Sequence, residues 1–352
     1  MAETLTIYRA GMATVTDLGR FGWARHGVSV NGALDQYSAQ VANVAVGNAL
    51  NAPLIEIPVM DFVCTASTDL LISVTGAPAD VTIGGRAQPQ WEPAVAHRDE
   101  RIVISNIRRG LRTYLAVHGS VAQQHTMGSC APDPLIGVGH RLTDGDQLAL
   151  AGESVYIDHP YSRQALFRLA APLPDFPDRW TIDAVDGPHA AQFGESLGLL
   201  YSREYTVSPS SNHVGMRLSG ETPKRQQGSE LLSRGVPVGA IEKPPGDELL
   251  VLHRGRNVTA GYPVLAVATS TALSRLGQVR PGQTITFRQQ TIDEAVAARR
   301  AEAVALTELH HRVKIAFGTV GIPVKTLSFT PPPSQPLASE LEHQLPTRPT
   351  PD

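Results

Sequence analysis

The residues best suited to chemistry begin in a glycine-rich stretch near the start of the chain, residues 16–35 (TDLGRFGWARHGVSVNGALD). Arg20 could bind a carboxylate or phosphate in bidentate fashion, and the carboxylates of Asp17 and Asp35 could exchange protons with a ligand. Glycine is used where φ must be positive or where another group approaches the backbone closely. Taken alone, the stretch fits a solvated turn as well as the wall of a polar site. The other polar clusters of the chain are needed to choose between these two interpretations.

Further polar candidates follow along the chain. Glu56 interrupts an apolar run, Leu-Ile-Glu-Ile, and His118 directly follows an apolar Leu-Ala-Val strand. The second half contributes four more: Asn212, Arg217, Arg256 and Tyr262. Each has a structural interpretation when taken singly, as a cap, a paired buried charge or a solvated strand end.

Several catalytic signatures are absent from the sequence. It contains no phosphate loop of the type G-x-x-x-x-G-K-[ST] and no H-E-x-x-H zinc motif. His310 and His311 are adjacent on a predicted helix and cannot both face one metal ion. Cys64 and Cys130 form neither a disulfide framework nor a zinc motif, which predicts two buried thiols. We therefore expect no metal site.

Composition limits the class of protein. The chain has 352 residues, 42% of them apolar and 18% charged, with a formal net charge of −3. This is a globular balance with enough length for two domains, and it favours neither nucleic acid nor an anionic membrane as a partner. The N-terminus lacks the basic start and apolar run of a signal peptide, and no segment is long enough to span a bilayer. We expect a cytoplasmic protein.

Local patterns predict a mainly β chain with some α-helix. Asp35 is a suitable N-cap for a helix that ends at Gly47 and Asn48. Six short apolar runs, separated by turn residues, predict the strands of a barrel or rolled antiparallel sheet: 54–57, 62–65, 70–75, 81–83, 101–105 and 114–117.

Two similar segments suggest two related β-rich units. Residues 142–150 and 279–287 share a glycine turn followed by alternating apolar residues, and each lies after a Leu-Ala-Val strand. The predicted boundary lies near the proline-rich residues 172–177. Residues 292–313 have helical spacing, and the proline-dense tail from Thr330 onward predicts disorder. We therefore expect units at 1–171 and 178–290, followed by a helix and tail at 291–352.

Ordered motifs give the chain a family resemblance. Residues 14–56 resemble the opening signature of the biotin-dependent carboxyltransferase-like proteins, T-V-x-D-x-G-R-x-G, then G-A-x-D, then A-N-x-x-V-G-N and a glutamate. Later segments, including SNHVGMRL, SELLSRGVPVGAIEKPP and LGQVRPGQTITF, resemble the same family, and the resemblance covers about residues 4–290. The family includes the 5-oxoprolinase C subunit, KipA and the domain formerly assigned to an allophanate hydrolase. The sequence departs from the family's usual residues in its second half, at Glu242, Lys243, His253 and Arg254.

The resemblance implies two subdomains with cyclophilin-like β-barrel character and a partner subunit of related fold. It implies one subunit of an ATP-dependent 5-oxoprolinase that is inactive alone, with Asp35, Glu56 and Asp17 as candidate catalytic residues. The candidate substrate-binding residues are Arg20, His118, Asn212, Arg217, Arg256 and Tyr262. Since the sequence lacks a phosphate loop, an ATP site could be shared with the partner subunits.

The expected partners are a second carboxyltransferase-like subunit, of the 5-oxoprolinase B or KipI type, and a third subunit of the LamB/YcsF type. Two alternatives stay open. The chain could transfer a carboxyl group from a separate biotin carrier to urea or a related amide, since no lysine here has the flanking methionines of an attached biotin. It could also be a KipA-like regulatory protein that binds a histidine-kinase inhibitor.

Overall fold

The computed structural model describes residues 3–152, 168–226 and 231–327. These residues form a mainly β protein with two open sheets, a closed seven-stranded barrel, a two-stranded ribbon and four α-helices. The predicted mainly β class is confirmed. The predicted tail from Thr330 onward lies outside the described residues.

The first part of the chain forms two sheets. Its strands are β1 (Thr4–Arg9), β2 (Thr14–Thr16), β3 (Leu54–Pro58), β4 (Phe62–Ala66), β5 (Leu70–Gly76), β6 (Asp80–Ile83), β7 (Arg86–Ala87), β8 (Pro93–Ala96), β9 (Arg101–Ser105), β10 (Arg112–Val117) and β11 (Gln147–Ala149). One sheet has the order β11-β1-β4-β9-β6-β7 and the other β2-β3-β10-β5-β8. All six strands predicted from apolar runs are present.

Helix α1 (Gln36–Ala45) packs on the second of these sheets, against β5 and β10. Asp35 caps it by accepting a hydrogen bond from the Ser38 backbone N–H at 3.0 Å, as the sequence predicted. The side chains of Val41 and Val44 are fully buried in the main apolar core. Five of its ten residues are buried and apolar, and they pack α1 against the sheet.

The second part forms the barrel and the remaining helices. Its strands are β12 (Arg179–Asp186), β13 (Glu204–Val207), β14 (Gly215–Ser219), β15 (Arg234–Gly235), β16 (Ala240–Glu242), β17 (Glu248–Leu252), β18 (Thr259–Ala260), β19 (Val264–Ala268) and β20 (Thr284–Gln289), and its helices are α2 (Gly198–Ser202), α3 (Ser270–Leu276) and α4 (Ile292–Gly318). The barrel order is β12-β19-β16-β17-β14-β13-β20, and β15 pairs with β18 in the ribbon. Within the barrel, β12 and β20 run parallel.

The two similar sequence segments adopt the same turn in different surroundings. Gly145 (φ +96°) and Gly282 (φ +84°) each form the turn before a strand, β11 and β20 respectively. However, β11 lies at the edge of an open sheet, whereas β20 pairs on both sides within the closed barrel. The unit boundaries at 171 and 178 stay a proposal, with β11 ending at Ala149 and the barrel beginning at Arg179.

The two parts meet through the loop that follows α3. Gln278 accepts hydrogen bonds from the backbone N–H groups of Leu111 and Arg112, and its amide donates to Asp35 at 2.7 Å. Helix α4 begins with a capping box of Thr291 and Glu294 and packs against α1 and α3. It contains the predicted helical residues 292–313. In the described parts of the chain, no helix has the length and apolar character needed to cross a membrane.

Candidate functional site

The glycines of the opening stretch let its two arms touch. A Cβ atom on Gly32 would lie 2.6 Å from the Gly19 backbone nitrogen, and both residues have positive φ, +84° and +109°. The arms are also joined by hydrogen bonds from Arg20 N–H to the Val30 carbonyl and from Ala33 N–H to the Asp17 carbonyl. The glycines are therefore required for the close approach of two backbone segments.

The side chains of Asp17 and Arg20 hold the segment 126–133 in place. Asp17 accepts hydrogen bonds from the Ser129 hydroxyl at 2.6 Å and from the Cys130 N–H at 2.8 Å. The buried Arg20 guanidinium donates to the carbonyls of three residues in that segment: Thr126, Ser129 and Ala131. Neither side chain faces the cleft described next.

A cleft of 520 Å³ lies between the first part of the chain and the barrel. Its walls from the first part include Asn31, Gly32, Glu56, Arg112 and Arg141, and those from the second include Asn212, His213 and Gly255. The glycine-rich stretch is thus a wall of this cleft, but through Asn31 and Gly32 and not through Asp17 and Arg20.

The Glu56 carboxylate is held by three donors at the wall of the cleft. Glu56 on β3 lies directly opposite Tyr114 on β10, and the Tyr114 hydroxyl donates to it at 2.8 Å. Arg112 Nε donates to the other carboxylate oxygen at 3.3 Å, and the Leu34 N–H donates at 3.2 Å. A carboxylate offers about four acceptor positions, so capacity is left for one more donor, such as a water molecule or a ligand N–H.

Tyr114 links Glu56 to the start of α1. Its hydroxyl oxygen accepts a hydrogen bond from the Asp35 N–H at 3.0 Å. Burial raises the pKa of Tyr114 well above its usual value, and the nearby carboxylates of Glu56 and Asp35 raise it further. The phenol therefore keeps its proton, and its O–H group donates a hydrogen bond to Glu56. Burial also raises the pKa of Asp35, against hydrogen bonds from Ser38 and Gln278 that lower it.

Three basic residues flank Gly255, which lines the cleft: His253, Arg254 and Arg256. Burial, followed by the charges of Arg112 and Arg254, lowers the pKa of His253 to about 3, so this imidazole is neutral. Burial lowers the pKa of Arg254 to about 10. Within the described parts of the chain, Arg254 Nε and Arg256 Nη1 are buried without a hydrogen-bond partner. This excess of buried positive charge favours an anionic ligand.

The remaining candidates lie elsewhere. Arg217 forms an exposed ion pair with Glu248 at 2.7 Å on the barrel surface. His118 donates from Nδ1 to the Val46 carbonyl at 2.6 Å, at the end of α1, and burial lowers its pKa. Tyr262 lines a separate cavity. The structure thus gathers Glu56 and Asn212 at the cleft, with Asp35 connected through Tyr114.

Four residues of this arrangement were missed by sequence reasoning: Arg112, Tyr114, Arg141 and Gln278. Tyr114 belongs to a predicted strand, where it reads as a core aromatic residue. Its position opposite Glu56 depends on the register of β3 and β10. A signal was available for Gln278, because it lies inside a segment that resembles the family, LGQVRPGQTITF.

One group of metal-ligating side chains occurs among the described residues: Asp17, His125 and Cys130. The Asp17 oxygens already accept hydrogen bonds from Gly19, Ser129 and Cys130. Burial and the Asp17 carboxylate raise the pKa of the Cys130 thiol, which disfavours the thiolate that a metal ion needs. The group is better described as the anchor of the segment 126–133.

Comparison with known proteins places these features in context. The family described as carboxyltransferase domain, subdomain A and B, matches residues 26–289. The chain is 32% identical over 315 residues to the 5-oxoprolinase C subunit of Escherichia coli, covering 88% of this chain and 98% of that protein. The corresponding protein of Haemophilus influenzae is 28% identical over 306 residues, covering 86% and 96%. The crystal structure of the K. lactis urea amidolyase aligns with a TM-score of 0.78 and 26% identity, over 87% of this chain and 20% of that enzyme.

Proposed function

The chain belongs to the family of carboxyltransferase domains with subdomains A and B, and from that premise we propose that it is one subunit of a 5-oxoprolinase, which opens the lactam of 5-oxoproline to glutamate. The observation that carries this proposal is the match to the 5-oxoprolinase C subunit through 98% of that protein's length. By contrast, the urea amidolyase of Saccharomyces cerevisiae is matched over 17% of its length.

The cleft suits a small anionic substrate. Its volume of 520 Å³ is within the range of small-molecule sites, and it would close further against a neighbouring chain of the complex. 5-Oxoproline carries one carboxylate, and Arg141 lines the cleft with no carboxylate partner among the described residues. We assign Arg141 to the substrate carboxylate, with the buried charge of Arg254 adding long-range attraction.

Glu56 is the candidate general base. An unstrained lactam carbonyl is a poor electrophile, so the reaction needs activation by phosphoryl transfer from ATP to the lactam oxygen and then attack by water. Glu56 lines the cleft, keeps one acceptor position open and is fixed by Tyr114 and Arg112. It could accept the proton of the attacking water. Asn212 could orient the lactam from the opposite wall.

Partner subunits complete the proposed enzyme. A second carboxyltransferase-like subunit, of the 5-oxoprolinase B or KipI type, and a third of the LamB/YcsF type would assemble with this chain. The complex would use ATP, and the chain alone would have negligible activity. No attached biotin is required for this reaction.

A second candidate is carboxyl transfer from a separate biotin carrier to urea or a related amide. The alignment with K. lactis urea amidolyase, at a TM-score of 0.78, favours it specifically. The same cleft would then hold the carboxyl donor and the amide. Regulation of the KipA type has no such observation behind it.

Co-expression with the partner subunits tests the proposal. We expect the purified complex to release glutamate from 5-oxoproline only with ATP, and the single chain to release almost none. Turnover of urea with carboxybiotin, without glutamate release, would support the second candidate and overturn the first.

A pair of variants tests the role of the cleft. Glu56→Gln keeps the shape of the side chain but removes the base, so glutamate release should fall by about a hundredfold or more. The control is Glu248→Gln on the barrel surface, where the carboxylate pairs with Arg217, and it should leave activity unchanged. An assembled Glu56→Gln complex with wild-type turnover would exclude Glu56 as the base.

A further inference from the structure

The loop between α3 and β20, residues 277–283, packs against the first part of the chain. A Cβ atom on Gly277 would lie 2.6 Å from the Leu34 carbonyl carbon, so the two backbones are in contact. Next to it, Gln278 is only 2% exposed. It lines a cavity of 280 Å³ and is not among the described residues that line the cleft. Any effect of Gln278 on the proposed chemistry must therefore pass through other residues.

All four hydrogen bonds of the Gln278 side chain go to the first part of the chain. Its carbonyl oxygen accepts from the backbone N–H groups of Leu111 and Arg112, at 2.9 and 2.8 Å. Its amide nitrogen donates to the Arg112 carbonyl at 2.9 Å and to the Asp35 carboxylate at 2.7 Å. A glutamine amide offers two N–H groups and one carbonyl with two lone pairs, so its capacity is fully used. The orientation of the amide is fixed, because a flipped amide would place N–H groups against two backbone donors.

These contacts fix two of the three donors to Glu56. Arg112, whose Nε donates to Glu56, has its backbone N–H and carbonyl held by Gln278. Its guanidinium also donates to the Gly277 carbonyl, which ties the side chain to the same loop. Leu34, whose N–H donates to Glu56, lies in contact with Gly277. Both donors are thus placed by a loop of the second part.

The third donor to Glu56, the Tyr114 hydroxyl, is reached through Asp35. The Asp35 N–H donates to that hydroxyl at 3.0 Å, and the Asp35 carboxylate accepts from the Gln278 amide at 2.7 Å. The Ser38 N–H and hydroxyl hold the same carboxylate, at 3.0 and 2.6 Å. Asp35 is only 3% exposed, so solvent does not readily replace a lost donor. Removing the Gln278 donor therefore leaves a buried carboxylate oxygen short of a hydrogen bond, which costs free energy.

We propose that Gln278 is the positioning residue of the cleft: from the second part of the chain, it fixes the three donors that orient the Glu56 carboxylate. Among the described residues, it forms no hydrogen bond to Glu56, Arg141 or Asn212. Its loss should therefore lower kcat and leave KM for 5-oxoproline within about threefold of the wild type. A glutamine that only joined the two parts would affect stability without this separation. The inference rests on the proposed function, in which Glu56 is the general base.

Gln278→Glu tests the donor to Asp35 with little change in shape. The introduced carboxyl group still accepts from the N–H groups of Leu111 and Arg112, but its second oxygen faces the Asp35 carboxylate. Two carboxyl groups in contact share one proton until the pH exceeds their upper pKa, which burial and mutual repulsion raise. With that proton present, the introduced O–H group donates to Asp35 in place of the amide. Without it, two anions repel each other and the contact is lost.

The expected result is a variant whose activity depends on pH. In the assembled complex, the ratio of variant to wild-type kcat for glutamate release should be highest at low pH and fall by about tenfold or more once the shared proton is lost. Urea unfolding of the variant chain locates that loss. Its stability relative to the wild type falls as the pH rises and levels off once the pair has lost the proton. A kcat ratio that is the same on both sides of that pH, at any level, would overturn the inference.

Gln283→Glu is the matched control. Gln283 lies on the same loop, and its side-chain carbonyl accepts from Trp180 Nε1 and the Arg280 N–H, both at 2.9 Å and both within the second part. A carboxylate keeps both bonds, so this variant should have wild-type kcat at every pH. The other charged or titratable side chains near Asp35 and Gln278 are the same in all these proteins, so the ratio cancels their effects: Tyr37, Glu56, Arg112, Tyr114, Arg275 and Glu302.

A double-mutant cycle tests the inference even if the variant complex does not assemble. Tyr114→Phe, Gln278→Asn and the double variant are compared by urea unfolding of the full chain without partners. Asparagine is one methylene shorter and cannot reach all four of the partners of Gln278. Because both substitutions disturb one network, the double variant should be less destabilised than the sum of the single variants. Strictly additive effects would show that Gln278 does not act through this network.

The cycle also separates this inference from the proposed function. A wild-type complex that releases no glutamate would refute the proposed function, whereas the cycle tests Gln278 without any activity. Glutamate release by the wild-type complex, together with a kcat ratio that does not change with pH, would refute the role of Gln278 and leave the proposed function standing.

Discussion

Replacing Tyr114 with phenylalanine removes a single oxygen from the centre of the cleft network. That oxygen donates to Glu56 at 2.8 Å and accepts from the Asp35 N–H at 3.0 Å. The ring is fully buried, so water cannot replace the lost hydroxyl without repacking. The substitution therefore separates the base from the helix that orients it while leaving the apolar packing of the ring intact.

The expected cost follows from the two lost bonds. A hydrogen bond to a charged group contributes about 1.5–3 kcal/mol, and a buried N–H left without an acceptor costs about 1–3 kcal/mol. Since neighbouring effects do not simply add, we expect Tyr114→Phe to lower the free energy of unfolding by about 2–5 kcal/mol. Glutamate release by the complex should fall by about tenfold, because Glu56 loses its fixed orientation.

Tyr205→Phe provides the matched control. Tyr205 is equally buried, but its hydroxyl faces only the neutral carbonyls of Leu199 and Glu221, at 3.0 and 3.2 Å. Its loss should cost about 0.5–1.5 kcal/mol and leave activity unchanged. Urea unfolding and glutamate release, measured on both variants, compare the two sites. If Tyr114→Phe matched Tyr205→Phe in stability and kept full activity, the argument that the hydroxyl organises the cleft would fail.

Substitutions at three further places test the structure by urea unfolding. Arg20→Lys should lower stability by about 2–4 kcal/mol, because lysine cannot reach all the carbonyls that the guanidinium binds; an unchanged midpoint would contradict this role. Gly32→Ala should be severely destabilising, because its Cβ would lie 2.6 Å from the Gly19 backbone nitrogen. The control is Gly145→Ala, which has open space around it and should cost only about 1 kcal/mol of backbone strain. Equal effects of the two substitutions would refute the close approach at Gly32. Glu242 is buried, and burial raises its pKa from 4.5 to about 7. Between these two pH values the folded state binds more protons than the unfolded state, so the protein loses stability as the pH rises from about 4.5 to 7. Glu242→Gln should therefore be more stable than the wild type at pH 8, by about 3 kcal/mol, and a wild-type curve that is flat from pH 5 to 8 would exclude this.

The sequence alone was sufficient for features that depend on neighbouring residues. The helix after Asp35 and six of the eleven strands of the first part follow from a cap and from apolar spacing, and both act over a few residues. The order of the motifs along the chain was enough to indicate the family. Composition and local pattern also predicted two buried cysteines, Cys64 and Cys130.

Only the tertiary structure decided which polar side chains face the cleft. Sequence reasoning treated Arg20, Asp17 and Asp35 alike as site residues, yet the partners of Arg20 and Asp17 lie more than 100 residues away, in the segment 126–133. The partner of Asp35, Gln278, is 243 residues away. The pairing of Glu56 with Tyr114 likewise depends on the register of two strands that are joined by other strands in between. Because a buried polar group takes whichever partner the packed fold brings to it, no local pattern could assign these contacts.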